Sequence, residues 1–373
     1  MTHIAYATAD DASRLPFKDR RTSLKVVGVI LIVLGAMAGC FSALTPVAIY
    51  VAAQAQASAQ AAAQRAAPPG TTTTTMVPVA GADVRSMVMA VVFYAVAAAV
   101  QIWVGIGAVR IRRWSRPVML VICWTWLVTG VMGIVFWLAA TPNYQQVMTA
   151  GMPPNAPQPP RALVYAIMGF TVALMSVFMV AIPGLFAWLF QRKGVQETLD
   201  YFDNRVAWTD RCPTPVLAVS GWLLLSAVSF LSYLAFGVLP FFGTMLSGPV
   251  AIAGLLAWAA LLVLLAWLVY RLRPAGWWGT AVAMTLLCVS TIFTFSRVGW
   301  DEVYRKAGYS ERDIDVMMRF RGSSPLWTVI FVALFNVFLI VYLLKVRKYF
   351  TGASDPQAPQ EDAPQAAGAA LRV

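Results

Sequence analysis

Few side chains in this sequence could act in catalysis, and they are scattered. The chain of 373 residues has one histidine, His3, which lies in a polar N-terminal tail. Its four cysteines stand in no CxxC pair and at no Cys/His spacing that binds metal. They are Cys40, Cys123, Cys212 and Cys288. Paired carboxylates are absent from the apolar runs, so no general acid and base are available there. The sequence therefore predicts no enzyme, no cofactor and no metal centre.

One polar stretch, residues 296–324, carries enough carboxylates to suggest ligands for a hard cation. Its acidic residues are Asp301, Glu302, Glu311, Asp313 and Asp315. They alternate with basic residues, namely Arg305, Lys306, Arg312 and Arg319. We expect these opposite charges to neutralise one another rather than to hold an ion.

The composition is that of a membrane protein. Hydrophobic residues make up 60% of the chain and charged residues only 12%, and the mean hydropathy is +0.69. Soluble domains carry about 25% charged residues, so the solvent for most of these side chains must be lipid. The net charge of +12 comes from short basic clusters between apolar runs. That pattern is typical of membrane loops, and it excludes the basic face of a nucleic-acid-binding domain.

Eight apolar runs are long enough to cross a hydrocarbon core of about 30 Å as helices. They cover residues 26–51, 87–109, 118–140, 162–190, 216–242, 250–270, a seventh run that reaches residue 295, and 326–344. The first helix is expected to continue through the Ala/Gln-rich stretch to about Ala67, because alanine is the strongest helix former. The predicted fold class is all-α: a polytopic transmembrane helical bundle with eight spans.

The first run also has two features of cleaved signals. Arg20-Arg21 resembles a twin-arginine export signal, and the stretch from Met37 to Cys40 resembles a lipoprotein cleavage box. Apolar sequence continues beyond Cys40 to Tyr50, whereas a cleaved lipoprotein normally turns polar there. We therefore expect an uncleaved first helix.

The order of loops predicts two parallel four-helix repeats. Each half has an Asp-Arg entry, two helices, an Arg-rich turn, a third helix, a polar loop, a fourth helix and a basic exit. Chance similarity between apolar segments is the alternative. The predicted organisation is a cytoplasmic N-terminal tail (1–25), a first four-helix membrane unit (26–190), a cytoplasmic linker (191–215), a second four-helix membrane unit (216–346) and a disordered cytoplasmic C-terminal tail (347–373).

The basic residues predict the orientation. Roughly two thirds of the Lys and Arg residues fall on the side that carries both termini, the linker and the two Arg-rich turns. Basic residues collect on the cytoplasmic side of a membrane. We expect a multi-pass protein of the inner (plasma) membrane with both termini in the cytoplasm.

Two neutral amides lie inside the predicted spans, Gln101 and Asn336. An amide in lipid needs a partner, so both are candidate intramembrane polar contacts, with interhelical bonding as the ordinary explanation. The Gly35-x-x-x-Gly39 motif permits close helix approach, either inside the bundle or in a homodimer.

Two stretches are candidates for an exported interaction surface. The glutamines of the helix beyond the first span recur every fourth residue, and a solvated helix face is the simpler explanation for them. The apolar residues after the Ser310 helix start share one helical face, and a helix resting on the bilayer is the simpler explanation there. The candidate residues are Gln56, Gln60, Gln64, Ile314, Met317 and Met318.

Two functional hypotheses follow. The first is a non-enzymatic structural or accessory component that acts through helix packing and exported loops, with the lipid bilayer and a membrane or periplasmic protein as partners. The alternative is a permease for a small neutral or lipophilic solute, without an intramembrane ionisable relay. A polar cavity at the bilayer midplane between the two halves would favour the permease.

Overall fold

The computed structural model describes residues 17–66, 84–150, 160–311, 314, 315, 318 and 326–351. The described chain is mostly helical. In the first half the helices are α1 (Arg21–Ala66), α2 (Val84–Val109), α3 (Ser115–Ala150), α4 (Arg161–Met175) and α5 (Ile182–Gln191), with a π-helical turn (Ser176–Ala181) joining the last two. The linker contains α6 (Lys193–Phe202) and a 3-10 turn (Trp208–Arg211).

The second half contains helices and one small sheet. Its elements are α7 (Thr214–Ser232), β1 (Val238–Phe241), β2 (Thr244–Ser247), α8 (Pro249–Tyr270), α9 (Pro274–Phe295), α10 (Trp300–Lys306) and α11 (Leu326–Val346). The strands form an antiparallel hairpin in which Val238 pairs with Ser247 and Phe241 with Thr244. The order of packing is alike in the halves: α1 lies on α2 and α3 on α5, while α7 lies on α8 and α9 on α11.

Eight helical segments in the described residues are long and apolar enough to cross a membrane. They are Arg21–Ala48, Val91–Val109, Ser115–Val135, Ala162–Gln191, Thr214–Ala235, Pro249–Tyr270, Pro274–Phe295 and Val329–Tyr349. Their number agrees with the eight predicted spans. The predicted continuation of the first helix is also confirmed, because α1 runs on to Ala66.

Two boundaries differ from the prediction. Helix α3 continues to Ala150, although residues 141–150 were predicted to be a loop; Gln and Met are good helix formers, and they prolong the helix beyond its apolar part. The fifth apolar run ends as a helix at Ser232, and its remainder forms the first strand of the hairpin. The purely all-α expectation does not hold for this segment, because a positive-φ turn at Phe242 and Gly243 reverses the chain into a second strand.

Helices α1 and α2 approach so closely that side chains are excluded between them. A Cβ added at Gly28 would stand 2.7 Å from the Gly105 carbonyl oxygen, and one added at Gly105 would stand 2.8 Å from the Gly28 carbonyl oxygen. A Cβ added at Gly35 would lie 3.0 Å from the Ala98 carbonyl oxygen. Gly35 thus contacts α2 inside the bundle, and Gly28, one heptad earlier on α1, makes a second close approach at Gly105.

The two Arg-rich turns have the same backbone conformation. Ile111 and Leu272, their central residues, have φ of 54° and 56°, although β-branched and bulky residues seldom adopt positive φ. In the first turn the amide of Arg112 donates to the Gly107 carbonyl at 2.9 Å, and in the second the amide of Arg273 donates to the Leu268 carbonyl at 3.0 Å. Both helices therefore end in the same hydrogen-bonded, left-handed cap.

The linker helix α6 belongs to the core of the first unit. Val195 and Leu199 are buried among the apolar residues of α1 and α5, including Leu24 and Phe190. The hydroxyl of Thr198 accepts the Arg20 amide at 3.2 Å. We use the term basic face for the end of the spans that holds α6, the two Arg-rich turns and the start of α1. The hairpin face is the opposite end of the spans.

A candidate functional site within the first unit

A cavity of about 250 Å³ lies between α1, α2, α3 and the π-helical turn with α5. Its lining is almost wholly apolar. Gln101 stands at the centre of the span Val91–Val109. Cys123 and Phe178 also lie near the middle of their spans. The cavity is thus at the depth where a bilayer has its hydrocarbon midplane.

Gln101 is the polar side chain of this lining. It is half-buried, and among the described residues its amide makes no hydrogen bond. Gly35 leaves room beside it, because a Cβ added there would come within 3.2 Å of the Gln101 Cβ. An amide without a partner in an apolar setting costs about 1–3 kcal/mol, which makes Gln101 a candidate for binding a ligand.

The wall opposite α2 is the π-helical turn, a rare geometry that is frequent at functional sites. The amide of Ile182 donates to the Val177 carbonyl, five residues back. The next donor in that series would be residue 183, but Pro183 has no N–H. The series therefore ends at Pro183, and both Phe178 and Pro183 are in the lining of the cavity.

The second predicted amide has a partner. Asn336 of α11 donates from Nδ2 to the Met284 carbonyl of α9 at 3.0 Å. It joins two helices of the second unit, which is the ordinary role of an amide at membrane depth. The two amides thus differ: Asn336 is bonded within the protein, and Gln101 faces a cavity.

The hairpin face carries a folded cap, which we define as β1, β2 and residues 296–311. Two hydroxyls of α9 hold its turn: Ser290 accepts the Phe242 amide and Thr294 the Gly243 amide, each at 3.0 Å. Both hydroxyl residues are buried. Phe242 and Gly243 form the turn, with φ of 38° and 92°. Their amides take no part in the strand pairing, so the two hydroxyls supply the acceptors that these amides need.

The apolar side of the cap is a cluster of aromatic and aliphatic residues. Phe295 and Trp300 pack with ring centroids 4.6 Å apart, next to Val238 and Met245 of the hairpin. Lys306 donates from Nζ to the Met245 carbonyl at 2.9 Å. These contacts fix α10 to the hairpin.

The predicted pairing of opposite charges is observed for the described acidic and basic residues of α10 and Glu311, whereas Arg312, Asp313 and Arg319 lie outside the described residues. Arg305 lies 2.9 Å from Glu311 and 3.8 Å from Asp301, and Lys306 lies 3.2 Å from Glu302. The hydrogen bond from Arg305 and its positive charge lower the pKa of the Glu311 carboxyl. No group of three His, Cys, Asp or Glu side chains among the described residues could hold a metal ion.

The residues predicted for an exported surface have mixed positions. Ile314 is 3% exposed and Met318 packs against the aromatic cluster, so both face the protein. Met317 lies outside the described residues. The remaining three lie on α1 beyond its apolar span, and their side chains are outside the described part of the chain: Gln56, Gln60 and Gln64.

Sequence reasoning missed the cavity beside Gln101, because nothing in the sequence indicates the π-helical turn in its wall. It also missed the role of Ser290 and Thr294, whose hydroxyls hold the hairpin turn; Thr294 in addition donates to the Ser290 carbonyl of its own helix.

No family model, no curated protein and no solved structure matches this chain. The function must therefore be argued from the geometry.

Proposed function

We propose that the protein is a non-enzymatic, multi-pass component of the plasma membrane that presents the cap to a membrane or periplasmic protein partner. The observation that carries the proposal is the construction of the cap. Buried hydroxyls of a membrane helix hold the hairpin turn, and a separate apolar cluster fixes α10 on it. A connecting loop needs neither, whereas a binding surface benefits from being pre-organised.

The exposed part of the cap suits a protein partner. Ser247 on β2 and Arg305 on α10 are exposed, and the paired charges around Arg305 leave no large field of one sign.

The proposed topology has both termini, the linker and the two Arg-rich turns in the cytoplasm, and the cap outside. It is supported by the basic residues of the basic face. The two units are proposed to be parallel repeats, and the shared conformation of the Arg110 and Arg271 turns supports duplication. A tag at Val373 that reports from outside the cell would contradict this topology.

The alternative of a permease between the two units gains no support from the cavity at Gln101. That cavity lies inside the first unit and is apolar. A permease at the interface between repeats would need polar space between the units.

The test is site-specific photo-crosslinking in native membranes. A benzoylphenylalanine at Ser247 or Arg305 should give a discrete protein adduct, because both positions lie on the cap. The same probe at Phe338, an exposed apolar position on α11, should give none, since lipid surrounds it.

A pair of variants ties the adduct to the fold of the cap. Thr294→Val removes the acceptor of the Gly243 amide and should weaken the adduct at Ser247. Thr285→Val is the matched control, because the Thr285 hydroxyl bonds only to the Ala281 carbonyl of its own helix. If neither cap position gives an adduct, or if Phe338 gives the same one, the accessory role is wrong.

A further inference from the structure

We infer that the cavity in the first unit is a binding site for a neutral, lipophilic molecule of about two rings that carries a hydroxyl group. This site is separate from the cap and independent of the proposed accessory function. It rests on the volume of the cavity, on the absence of charge in its lining and on the Gln101 amide, which makes no hydrogen bond among the described residues.

The size and lining define the body of the ligand. A buried apolar cavity of about 150 Å³ accepts benzene, and this one measures about 250 Å³. Its walls are side chains such as Leu34, Trp126 and Phe186, and no ionisable acid or base other than the Cys123 thiol lines it. A charged ligand would be costly here because nothing could neutralise it, so the ligand is neutral and apolar.

The unused amide of Gln101 defines the polar part of the ligand. Gln101 offers two N–H donors and a carbonyl acceptor. A ligand with only a keto group would leave the Gln101 carbonyl unsatisfied. A hydroxyl both donates and accepts, so it can bond to either end of the amide.

A phospholipid acyl chain is the competing occupant, since the cavity is at membrane depth. An acyl chain fills apolar volume but offers no hydrogen bond to the Gln101 amide. The structure favours the hydroxylated ligand for that reason, and the two occupants can be separated by experiment.

The experiment compares two photoreactive probes on the full-length protein in lipid nanodiscs. One is 4-(hydroxymethyl)benzophenone, and the other is 4-methylbenzophenone, which lacks the hydroxyl. Adducts are mapped by mass spectrometry, and Met119 and Met179 are good acceptors that line the cavity. One additional hydrogen bond contributes about 1 kcal/mol, so half-maximal labelling of these methionines should need roughly fivefold less of the hydroxylated probe.

The variant Gln101→Leu should remove this preference, so that both probes label at similar concentrations. Asn336→Leu is the matched control: its amide is bonded to Met284 and it should leave the preference at Met119 and Met179 unchanged. If Gln101→Leu does not fold, the comparison of the two probes on the unaltered chain still decides the matter.

Three results would overturn the inference. One is equal labelling by the two probes in the unaltered protein, which is expected if an acyl chain site is being filled non-selectively. Another is a preference that survives in Gln101→Leu. The third is labelling spread over lipid-facing positions with none at Met119 or Met179.

Discussion

The two Arg-rich turns have one backbone conformation and two different surroundings. In the first, Asp203 of the linker accepts the Arg113 amide at 3.0 Å, and Asp200 lies 2.9 Å from the Arg113 guanidinium. In the second, the guanidiniums of Arg271 and Arg273 lie beside the ring of Trp267, and no described carboxylate pairs with either. The local conformation depends on the chain itself, whereas the charge environment depends on what packs against it.

The two turns also differ in the position of the glycine that permits close packing. Gly107 in the first turn and Leu268 in the second stand four residues before the central residue. Ser115 in the first turn and Gly276 in the second stand four residues after it. A Cβ on Gly276 would come within 2.6 Å of the Val269 amide nitrogen, and one on Gly107 within 2.7 Å of the Trp114 ring. The glycine thus stands before the central residue in the first turn and after it in the second, and in each turn it permits a close contact.

The largest effect is expected from substituting the glycine of the second turn. Gly276→Ala should lower the free energy of unfolding by about 3 kcal/mol, because the new methyl group meets backbone atoms that cannot turn away. Ser115→Ala, at the matching position, should cost only about 1 kcal/mol for the lost bond to the Arg112 carbonyl. Unfolding by SDS titration in mixed micelles measures both, and equal losses would show that the two positions do not differ in how closely they are packed.

A smaller effect is expected from the carboxylate that only the first turn has. Asp203→Ala should lower the free energy of unfolding by about 2 kcal/mol, because the residue is 7% exposed and its loss leaves the Arg113 amide without a partner. Asp203→Asn keeps an acceptor and should cost less. Arg273→Gln in the second turn is the control and should stay within about 0.5 kcal/mol; a loss there as large as that of Asp203→Ala would show that the turns are not distinguished by their partners.

The smallest effect concerns a bridge that both units make. Arg116 donates from Nε to the Phe190 carbonyl at 3.0 Å, and Trp277 donates from Nε1 to the Leu343 carbonyl at 2.8 Å. Each donor stands five residues after the central residue of its turn. Arg116→Met and Trp277→Phe should therefore each cost about 1 kcal/mol, measured in the same titration. A loss in one unit alone would weaken the case for equivalent positions.

Much of the fold could be predicted because its determinants are local. The eight spans follow from apolar runs of sufficient length, and the continuation of α1 to Ala66 follows from helix propensity. The hairpin was missed because its first strand, Val238–Phe241, is as apolar as a helix, and only its positive-φ turn and the hydroxyls of α9 make it a strand. Helix α6 was predicted as part of a linker, yet it packs into the first unit through Val195 and Leu199.

The candidate site was predictable only in part. Gln101 was identified because an amide in an apolar run needs a partner, and Asn336 was identified for the same reason. The same sequence signal thus led to one bonded amide and one amide in a cavity. Which of the two lacked a partner depends on the distance between helices, and the sequence near each amide does not contain that information.

By itself the sequence determined that this chain has eight helical segments long and apolar enough to cross a membrane and where its positive charge collects, because hydropathy and charge act residue by residue along the chain. Only the tertiary structure decided that a π-helical turn before Pro183, the close α1–α2 pair and α3 leave space beside Gln101. Such space depends on how four helices fit together, and packing of that kind arises between distant residues.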